Sequence, residues 1–144
     1  QKVPYINPKN SKENKCQKGA YVVNITSHES KVTIVASGTE VELALKVQEK
    51  LKENNVHSKV VSMPCMEIFD KQPEEYRSDI IEYDTLIVTL EAGSIMSWQK
   101  YIKNKGMNIG IDQFGESAPY KEVYNHFDLS EEKVTNFIQK KLRE

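Results

Sequence analysis

Residues 32–51, VTIVASGTEVELALKVQEKL, constrain the fold of this chain more than any other stretch. A short apolar run opens it, of the kind that fills a β-strand buried on both faces. A serine–glycine pair breaks the run, and apolar residues then recur on one broad arc of a helical wheel. Thr39 with Glu42 predicts a capping box at the start of this helix, and Glu42 with Lys46 predicts an i,i+4 ion pair. A buried strand followed by an amphipathic helix is half of a βαβ unit, so the sequence predicts a parallel sheet.

Further strands follow in the same alternation with helices. Apolar runs at 60–63 and 86–90 predict two strands that neighbour the one at 32–36 in parallel, each buried on both faces. Residues 21–25 predict an antiparallel edge strand, paired with the strand at 32–36 because only a short turn separates the two. One more strand is predicted at 107–111, near the sheet edge. The predicted fold class is therefore α/β: a three-layer α/β/α sandwich around a sheet of about five strands, mostly parallel, with one antiparallel edge strand.

Caps and apolar spacing predict the remaining helices. Residues 66–69 form a single predicted turn over the sheet edge, and Asp70 is the predicted cap of a short helix over 73–81. A longer helix is predicted over 94–103. The last helix is predicted to begin after Ser130, whose hydroxyl caps it, with two glutamates against the positive end of the helix dipole.

The composition narrows the function classes. The 144 residues include 20 basic and 21 acidic side chains, which give a net charge of -1. This balance gives no excess of positive charge that would attract nucleic acid or an anionic membrane. No apolar run approaches the roughly 20 residues that span a bilayer. Cys16 and Cys65 lie far apart without metal-type spacing, which favours reduced thiols in a cytoplasmic protein.

The first nineteen residues differ from the rest of the chain. Residues 1–19 carry two prolines and five lysines, with few apolar residues and no period. This composition indicates a linker or an arm from a preceding domain, followed by the main domain over 20–144. The chain also begins at Gln1 rather than at a methionine, which suggests a piece of a longer polypeptide.

In a sheet of this kind, ligands bind beyond the carboxyl ends of the strands, where the strand order reverses. The turn at 37–39 is one candidate, because N–H groups at a helix N-terminus attract phosphate. However, this turn has one glycine and no following lysine, and Glu40 adds a negative charge there, so a structural helix cap is favoured. The candidate positions at this edge are Ser37, Gly38 and Thr39 after one strand, residues 63–65 after the next, and residues 91–93 after the third.

Other candidate residues also have ordinary structural interpretations. Glu91 is a candidate general acid or base at a strand end, although accepting N–H bonds from the following turn is favoured. Trp98 is assigned to the core, and Ser117 to a helix cap rather than a nucleophile. Three histidines, His28, His57 and His126, share no metal-like spacing and are assigned to surfaces or loops.

Four segments resemble, in order and spacing, the C-terminal domain of transketolase. They are VTIVASGTEVELAL (32–45), VVSMPCMEIFDKQPEEYR (60–77), VTLEAG (88–93) and GIDQFGESAP (110–119). The resemblance runs from about Lys18 to Leu142, nearly the whole chain. The opening ASGTEV is weak by itself, because related thiamine-diphosphate enzymes share a similar turn, whereas FDKQ (69–72) together with FGESAP (114–119) is much more specific.

The resemblance implies a dimeric enzyme that uses thiamine diphosphate and a divalent metal, Mg²⁺ or Ca²⁺. Such an enzyme moves a two-carbon ketol unit between sugar phosphates in the pentose phosphate pathway. In that family the first two domains hold the cofactor, the metal and the sugar phosphates, and this sequence lacks the family's Gly-Asp-Gly motif with its downstream asparagine. The resemblance therefore assigns no catalytic, cofactor-binding or metal-binding residue to this chain, and neither Arg77 nor Arg143 is nominated as a phosphate ligand.

The role of the domain itself stays open at this point. Within transketolase we prefer a structural domain that supports the dimer over a regulatory one. A regulatory domain would hold a small ligand in the crevice near Gly38, Pro64 and Gly93. The alternatives outside transketolase are the C-terminal domain of a related thiamine-diphosphate enzyme and a stand-alone small-ligand-binding module. The expected partners are the other domains of the same polypeptide, which hold the sugar phosphates, and a second copy of the full enzyme, with neither nucleic acid nor membrane.

Overall fold

The computed structural model describes residues 15–91, 101, 106–110 and 130–144. Within them, the strands are β1 (Tyr21–Ile25), β2 (Val32–Ala36), β3 (Ser58–Ser62), β4 (Leu86–Glu91) and β5 (Gly106–Gly110). The helices are α1 (Glu40–Glu53), α2 (Met66–Asp70), α3 (Glu74–Ile80) and α4 (Glu131–Leu142), and a 3-10 turn at Lys15–Lys18 precedes β1. Several predicted features fall outside these residues, namely Trp98, His126 and the FGESAP loop with Ser117. The helix predicted over 94–103 also falls outside them, except for Tyr101.

The sheet has the order β1-β3-β2-β4-β5, with β2 at its centre. Strands β3 and β4 flank β2, and both run parallel to it. All residues of β2 and β3 are buried, as are residues 86–90 of β4, which confirms the prediction of three neighbouring parallel strands. The predicted last strand is also confirmed as an edge strand, since β5 pairs only with β4 in the described sheet.

Strand β1 is the antiparallel edge strand that the sequence predicts, but its predicted partner is wrong. It pairs with β3, and Tyr21 lies opposite Ser62. The reason is that both edges of β2 are already occupied, by β3 after the α1 crossover and by β4. The turn after β1 therefore cannot close a hairpin with β2, and the free edge of β3 takes β1 instead.

A bulge in β1 fits this strand to the helix above it. The pairing with β3 shifts between Val22 and Asn24, so Val23 is the extra residue, and it is buried in the core. Gln48 of α1 is also buried, and its side-chain oxygen accepts a hydrogen bond of 2.8 Å from the Asn24 amide. Its nitrogen donates to the Ser58 carbonyl at 3.0 Å. Every polar atom of this buried glutamine therefore has a partner, as burial requires.

Helices cover both faces of the sheet. Alternate strand residues, among them Val32, Ile34 and Val88, pack against α1 and α4. Their neighbours, such as Val35 and Ile87, pack against α2, α3 and Tyr101 on the other face. This arrangement confirms the predicted three-layer α/β/α sandwich. None of the described helices is both long enough and apolar enough to cross a lipid bilayer.

The predicted caps have mixed outcomes. Ser130 is confirmed as the cap of α4, because its hydroxyl oxygen accepts a hydrogen bond of 3.1 Å from the Lys133 N–H. The predicted capping box of α1 is wrong, because Thr39 already has helical backbone angles and makes no side-chain cap bond. Its hydroxyl lies 3.3 Å from the Glu40 carboxylate instead. The i,i+4 ion pair on α1 is confirmed, with the Lys46 ammonium 3.7 Å from the Glu42 carboxylate.

Asp70 does not cap α3, contrary to the prediction. Pro73 occupies the cap position of α3 in the structure, and no side chain caps this helix. The Asp70 carboxylate accepts a hydrogen bond of 2.9 Å from the Tyr101 hydroxyl. The Pro73 carbonyl accepts the first backbone hydrogen bond of α3, from the Arg77 N–H at 3.0 Å, and the fixed φ of proline is compatible with a helix start.

The carboxyl end of α3 is bound by a buried lysine from the sheet. Lys59 of β3 is 3% exposed, and its ammonium donates to the carbonyl oxygens of Asp79 at 2.8 Å and Ile80 at 3.2 Å. The Glu82 carboxylate lies 3.4 Å from the same nitrogen. Helix-terminal carbonyls carry partial negative charge, so the ammonium is both hydrogen-bonded and electrostatically matched there.

Candidate functional site

The candidate positions lie together at one edge of the sheet, because the parallel strands β2, β3 and β4 end there. The strand order also reverses at β2, since β3 and β4 follow in the chain but lie on opposite sides of it. The structure thus brings residues 37–39 and 63–65 to the same edge. At the end of β4 it describes the backbone of Glu91 only, and residues 92 and 93 lie outside the described part of the chain.

The turn between β2 and α1 is closed by its own backbone. Gly38 has a φ of +59°, which bends the chain directly into the helix. The N–H groups of Glu40 and Val41 donate to the carbonyls of Ser37 and Gly38 at 3.1 Å and 3.2 Å. These N–H groups therefore already have acceptors, and the Glu40 carboxylate adds negative charge at the helix start. Both properties make this turn a poor cradle for a phosphate.

The end of β3 is filled by the chain's own segments as well. The Met63 N–H donates to the Ala36 carbonyl at 2.8 Å, which continues the β2–β3 pairing by one more bond. The Cys65 N–H donates to the Gly19 carbonyl at 3.1 Å, so the segment before β1 lies against the start of α2. Cys65 itself is a free thiol that is half-buried. The sequence did not indicate that residue 19 would reach this edge.

Gly19 lies very close to the backbone of α2 and its cap. Its φ is +86°, and a Cβ at this position would lie 2.3 Å from the Phe69 nitrogen and 2.4 Å from the Cys65 carbonyl oxygen. Both neighbours are backbone atoms of α2 and its cap, so neither can rotate away. Only glycine fits this position, for reasons of backbone angle and of space.

Three aromatic rings lie on the same face of the sheet. The centroid of the Phe69 ring is 6.4 Å from that of Tyr76 and 6.0 Å from that of Tyr101, both in tilted or edge-to-face geometry. Burial raises the pKa of Tyr101 well above its usual range, and the hydrogen bond to the Asp70 carboxylate raises it further. Burial also raises the pKa of Tyr76 and of Tyr83. These phenols therefore stay protonated at neutral pH and are unsuited to act as bases.

Two of the cavities on the described part of the chain lie away from the strand-end edge. A cavity of about 300 Å³ lies over the aromatic cluster, between α2, α3 and Tyr101. Its lining includes two carboxylates and one guanidinium, from Asp70, Glu74 and Arg77. A larger cavity of about 540 Å³ lies at the opposite edge, where β2 and β4 begin, against the end of α4. It is lined by charged residues of both signs, Glu29, Lys31, Asp84, Lys141 and Glu144 among them.

The described histidines have no shared site. His28 is exposed, and His57 Nδ1 lies 3.2 Å from the Thr26 hydroxyl at the opposite edge of the sheet. Across the residues that the structure describes, no group of three His, Cys, Asp or Glu side chains is placed to hold a metal ion. The positions of Glu91's side chain, Trp98, Ser117 and His126 are not among those described.

Comparison with protein families decides the assignment. Residues 19–130 match the family model described as the transketolase-like TK C-terminal domain. The chain belongs to this transketolase family. The match covers β1 to β5 and the segment that leads into α4, so the fold described above is the fold of a transketolase C-terminal domain.

Curated relatives and solved structures agree with the family. The chain is 36% identical to the transketolase of Aquifex aeolicus over 126 residues, which is 87% of this chain and 18% of the relative. It is 40% identical to the chloroplastic transketolase of Solanum tuberosum over 120 residues, 81% of this chain and 16% of the relative. A crystal structure of transketolase from Pichia stipitis superposes with a TM-score of 0.79 at 29% identity, over 99% of this chain and 20% of that one.

The transketolase domain described here spans about a fifth of the length of these relatives. The similar proteins are transketolases, so the alternatives of a related thiamine-diphosphate enzyme and of a stand-alone binding module are not favoured. The order and spacing of the four motifs in the sequence were therefore a reliable signal of the family. The close contact of Gly19 with α2 and the burial of Lys59 are features of the same domain that no sequence motif indicated.

Proposed function

We propose that this domain serves a transketolase that transfers a two-carbon ketol unit between sugar phosphates in the pentose phosphate pathway, and that it supports the enzyme's assembly rather than its chemistry. The observation that carries this proposal is the state of the strand-end edge, where ligands bind in sheets of this kind. After β2 and after β3, backbone N–H groups at that edge already bond to the chain itself, Glu40 N–H to the Ser37 carbonyl and Cys65 N–H to the Gly19 carbonyl.

The described residues do not fit the cofactor of such an enzyme. A diphosphate with its metal needs carboxylate and amide oxygens around the metal, or a lysine- and glycine-rich cradle around the phosphates. The turn at Gly38 has its N–H groups occupied and a carboxylate, Glu40, at the helix start. We therefore propose that thiamine diphosphate and Mg²⁺ or Ca²⁺ are held by other domains of the full enzyme, together with the sugar phosphates.

The partners and location follow from the same proposal. The domain would contact the other domains of its own polypeptide and take part in a homodimer of the full enzyme, without contacting nucleic acid or a membrane. We propose a cytoplasmic location, supported by two cysteines that lack disulfide-type or metal-type spacing. Imaging of the tagged full-length protein would test the location, and targeting to a plastid, as in the chloroplastic relatives, would contradict it.

The experiment that tests the main proposal compares the 144-residue chain with the full-length enzyme. In calorimetric titration with thiamine diphosphate and Mg²⁺, the full-length enzyme should give saturable heat and the isolated chain none. A coupled assay with a ketose phosphate donor should be flat for the chain alone. In the full-length enzyme, Ser37→Ala should leave kcat/KM within about twofold, because this residue is placed outside the chemistry. Micromolar cofactor binding by the isolated chain, or a large loss of turnover in the folded variant, would overturn the proposal.

A further inference from the structure

The net charge of -1 conceals a separation of charge along the chain. Residues 1–18 carry five lysines and one glutamate, a net charge of +4. Residues 66–84, which form α2, α3 and the turn after them, carry seven carboxylates against Lys71 and Arg77, a net charge of -5. The rest of the chain is neutral. The N-terminal arm and the α2–α3 face, defined here as residues 1–18 and 66–84, are therefore opposite in sign.

The acidic side chains of the α2–α3 face are accessible. Six of its seven carboxylate residues are exposed, and Glu82 is half-buried and lies 3.4 Å from the Lys59 ammonium. The six exposed ones are Glu67, Asp70, Glu74, Glu75, Asp79 and Asp84. The cavity of about 300 Å³ described above opens on this face, with Asp70 and Glu74 in its lining. The two cations of the face are Lys71, which is exposed, and Arg77, which is half-buried and whose Nε donates to the Gln72 carbonyl at 2.9 Å, so the carboxylates remain in excess.

The last residue of the arm is already seated on this face. The Lys18 ammonium lies 4.7 Å from the centroid of the Tyr76 ring, a cation–π contact with α3. Immediately after it, Gly19 lies against Cys65 and Phe69, and the Tyr76 hydroxyl donates to the Ala20 carbonyl at 2.7 Å. The point from which the arm leaves the domain is thus fixed by backbone contacts with α2 and its cap and by the Tyr76 side chain of α3.

We propose that the α2–α3 face is the docking surface for the N-terminal arm of the same chain. The contacts of Lys18 and Gly19 are the described end of this interface, and the lysines before them continue it toward the carboxylates of α3. The arm is long enough, because residues 9–15, which precede the rest of the 3-10 turn, span up to about 20 Å when extended. Helix α3 has seven residues and is about 10 Å long, so Lys9, Lys12 and Lys15 can all reach its exposed side.

This interface fixes how the preceding part of the polypeptide enters the domain. When the arm is docked, the chain has no free hinge at Gly19. Any hinge between this domain and the preceding part of the polypeptide would then lie before Lys9 rather than at residue 20. The attraction is between exposed charges, and it therefore weakens as the salt concentration rises. A second copy or a different domain could offer a basic surface to the same carboxylates, and the test must separate these occupants from the arm.

Zero-length carbodiimide cross-linking of the full-length protein at low salt tests the proposal, because it joins only lysines and carboxylates that are in contact. Mass spectrometry of the monomer band should show Lys9, Lys12 or Lys15 joined to Glu67, Glu74 or Glu75. The triple variant Glu74→Gln/Glu75→Gln/Asp79→Asn should reduce these products several-fold. It should also speed trypsin cleavage after Lys9 and Lys12 several-fold. The matched control Glu49→Gln/Glu53→Gln/Glu132→Gln removes the same charge from exposed positions on α1 and α4 and should change neither.

Three results would overturn the proposal. The first is that arm lysines cross-link to Glu53 and Glu132 as readily as to the α2–α3 face, or to nothing. The second is that products appear only between copies, which would assign the face to a second molecule. The third is that the α2–α3 carboxylates cross-link to lysines of another domain while the arm is cleaved at the same rate in both triple variants.

Discussion

The ammonium of Lys59 lies 2.8 Å from the carbonyl oxygen of Asp79, and this bond joins the second-to-last residue of α3 to the middle layer of the sandwich. The side chain is almost fully buried, so its stem packs in the core while its charge meets the helix end. A short helix without a side-chain cap at its start is thereby held at its other end.

Replacing Lys59 should be strongly destabilising. Lys59→Met keeps most of the apolar stem but removes the donor to the Asp79 carbonyl and to the buried Ile80 carbonyl, which should cost about 2–3 kcal/mol in the free energy of unfolding. Urea denaturation followed by circular dichroism measures it. The control is Lys52→Met on the exposed side of α1, which should change the stability by less than about 0.5 kcal/mol. Equal effects of the two substitutions would contradict the assigned role.

The two described glycines with positive φ should differ sharply in their tolerance of alanine. At Gly38 a Cβ meets no atom within 4 Å, so Gly38→Ala should cost only the backbone strain, about 1 kcal/mol. At Gly19 the same Cβ collides with backbone atoms of α2, so Gly19→Ala should cost more than about 3 kcal/mol or prevent folding. Urea titration of both variants under one condition makes the comparison. A smaller loss for Gly19→Ala than for Gly38→Ala would show that the close approach is not maintained in solution.

Ser130 and Thr39 form a second matched pair. The Ser130 hydroxyl caps α4, so Ser130→Ala should lower the free energy of unfolding by about 1 kcal/mol. Thr39 stands before α1 but makes no side-chain cap bond, so Thr39→Ala should change it by less than about 0.5 kcal/mol. Thermal unfolding of both variants beside the wild type suffices as a measurement. A larger effect at Thr39 would mean that the capping box forms in solution after all.

Tyr101 should make the stability fall at high pH. Burial, aided by the bond to Asp70, raises the pKa of its phenol in the folded state above the value of 10.0 that it has when unfolded. Its contribution is therefore complete below pH 10 and is lost as the pH rises further, because only the unfolded chain then releases the proton. Unfolding titrations from pH 8 to pH 11 should show a decline that is shallower in Tyr101→Phe. Parallel declines in the two proteins would exclude Tyr101 as the cause.

The parallel core of the sheet could be predicted because its signal is local. Val32, Ile34 and Val35 lie in one short run that is apolar except for Thr33, and a strand buried on both faces accommodates such a run between helical segments. The α4 cap could be predicted for the same reason, since Ser130 and the N–H that it binds are three residues apart. The family could be predicted because four motifs occur in a fixed order.

The features that the sequence did not predict depend on contacts between distant residues. The partner of β1 depends on which edges of β2 are already occupied, and the sequence of β1 contains no signal of this. In the sequence Lys59 has the pattern of an ordinary strand residue. Its role depends on its contact with the end of α3, about twenty residues further along the chain. Thr39 and Asp70 carry side chains that often cap helices, but the Thr39 hydroxyl lies against the Glu40 carboxylate, and the Asp70 carboxylate accepts a hydrogen bond from the distant Tyr101.

The pairing of β1 with β3 has a consequence for the order in which the domain folds. Thr26 follows β1 directly, yet its backbone bonds to Ser58, 32 residues later, after β2 and α1. Closing so long a loop is entropically unfavourable until β2, α1 and β3 are assembled, so β1 should join the sheet late. During synthesis, β1 would then wait unpaired until β3 has also emerged from the ribosome. Pulse-labelling hydrogen exchange during refolding should accordingly find β2 amides protected before those of β1, and the reverse order would refute this sequence of events.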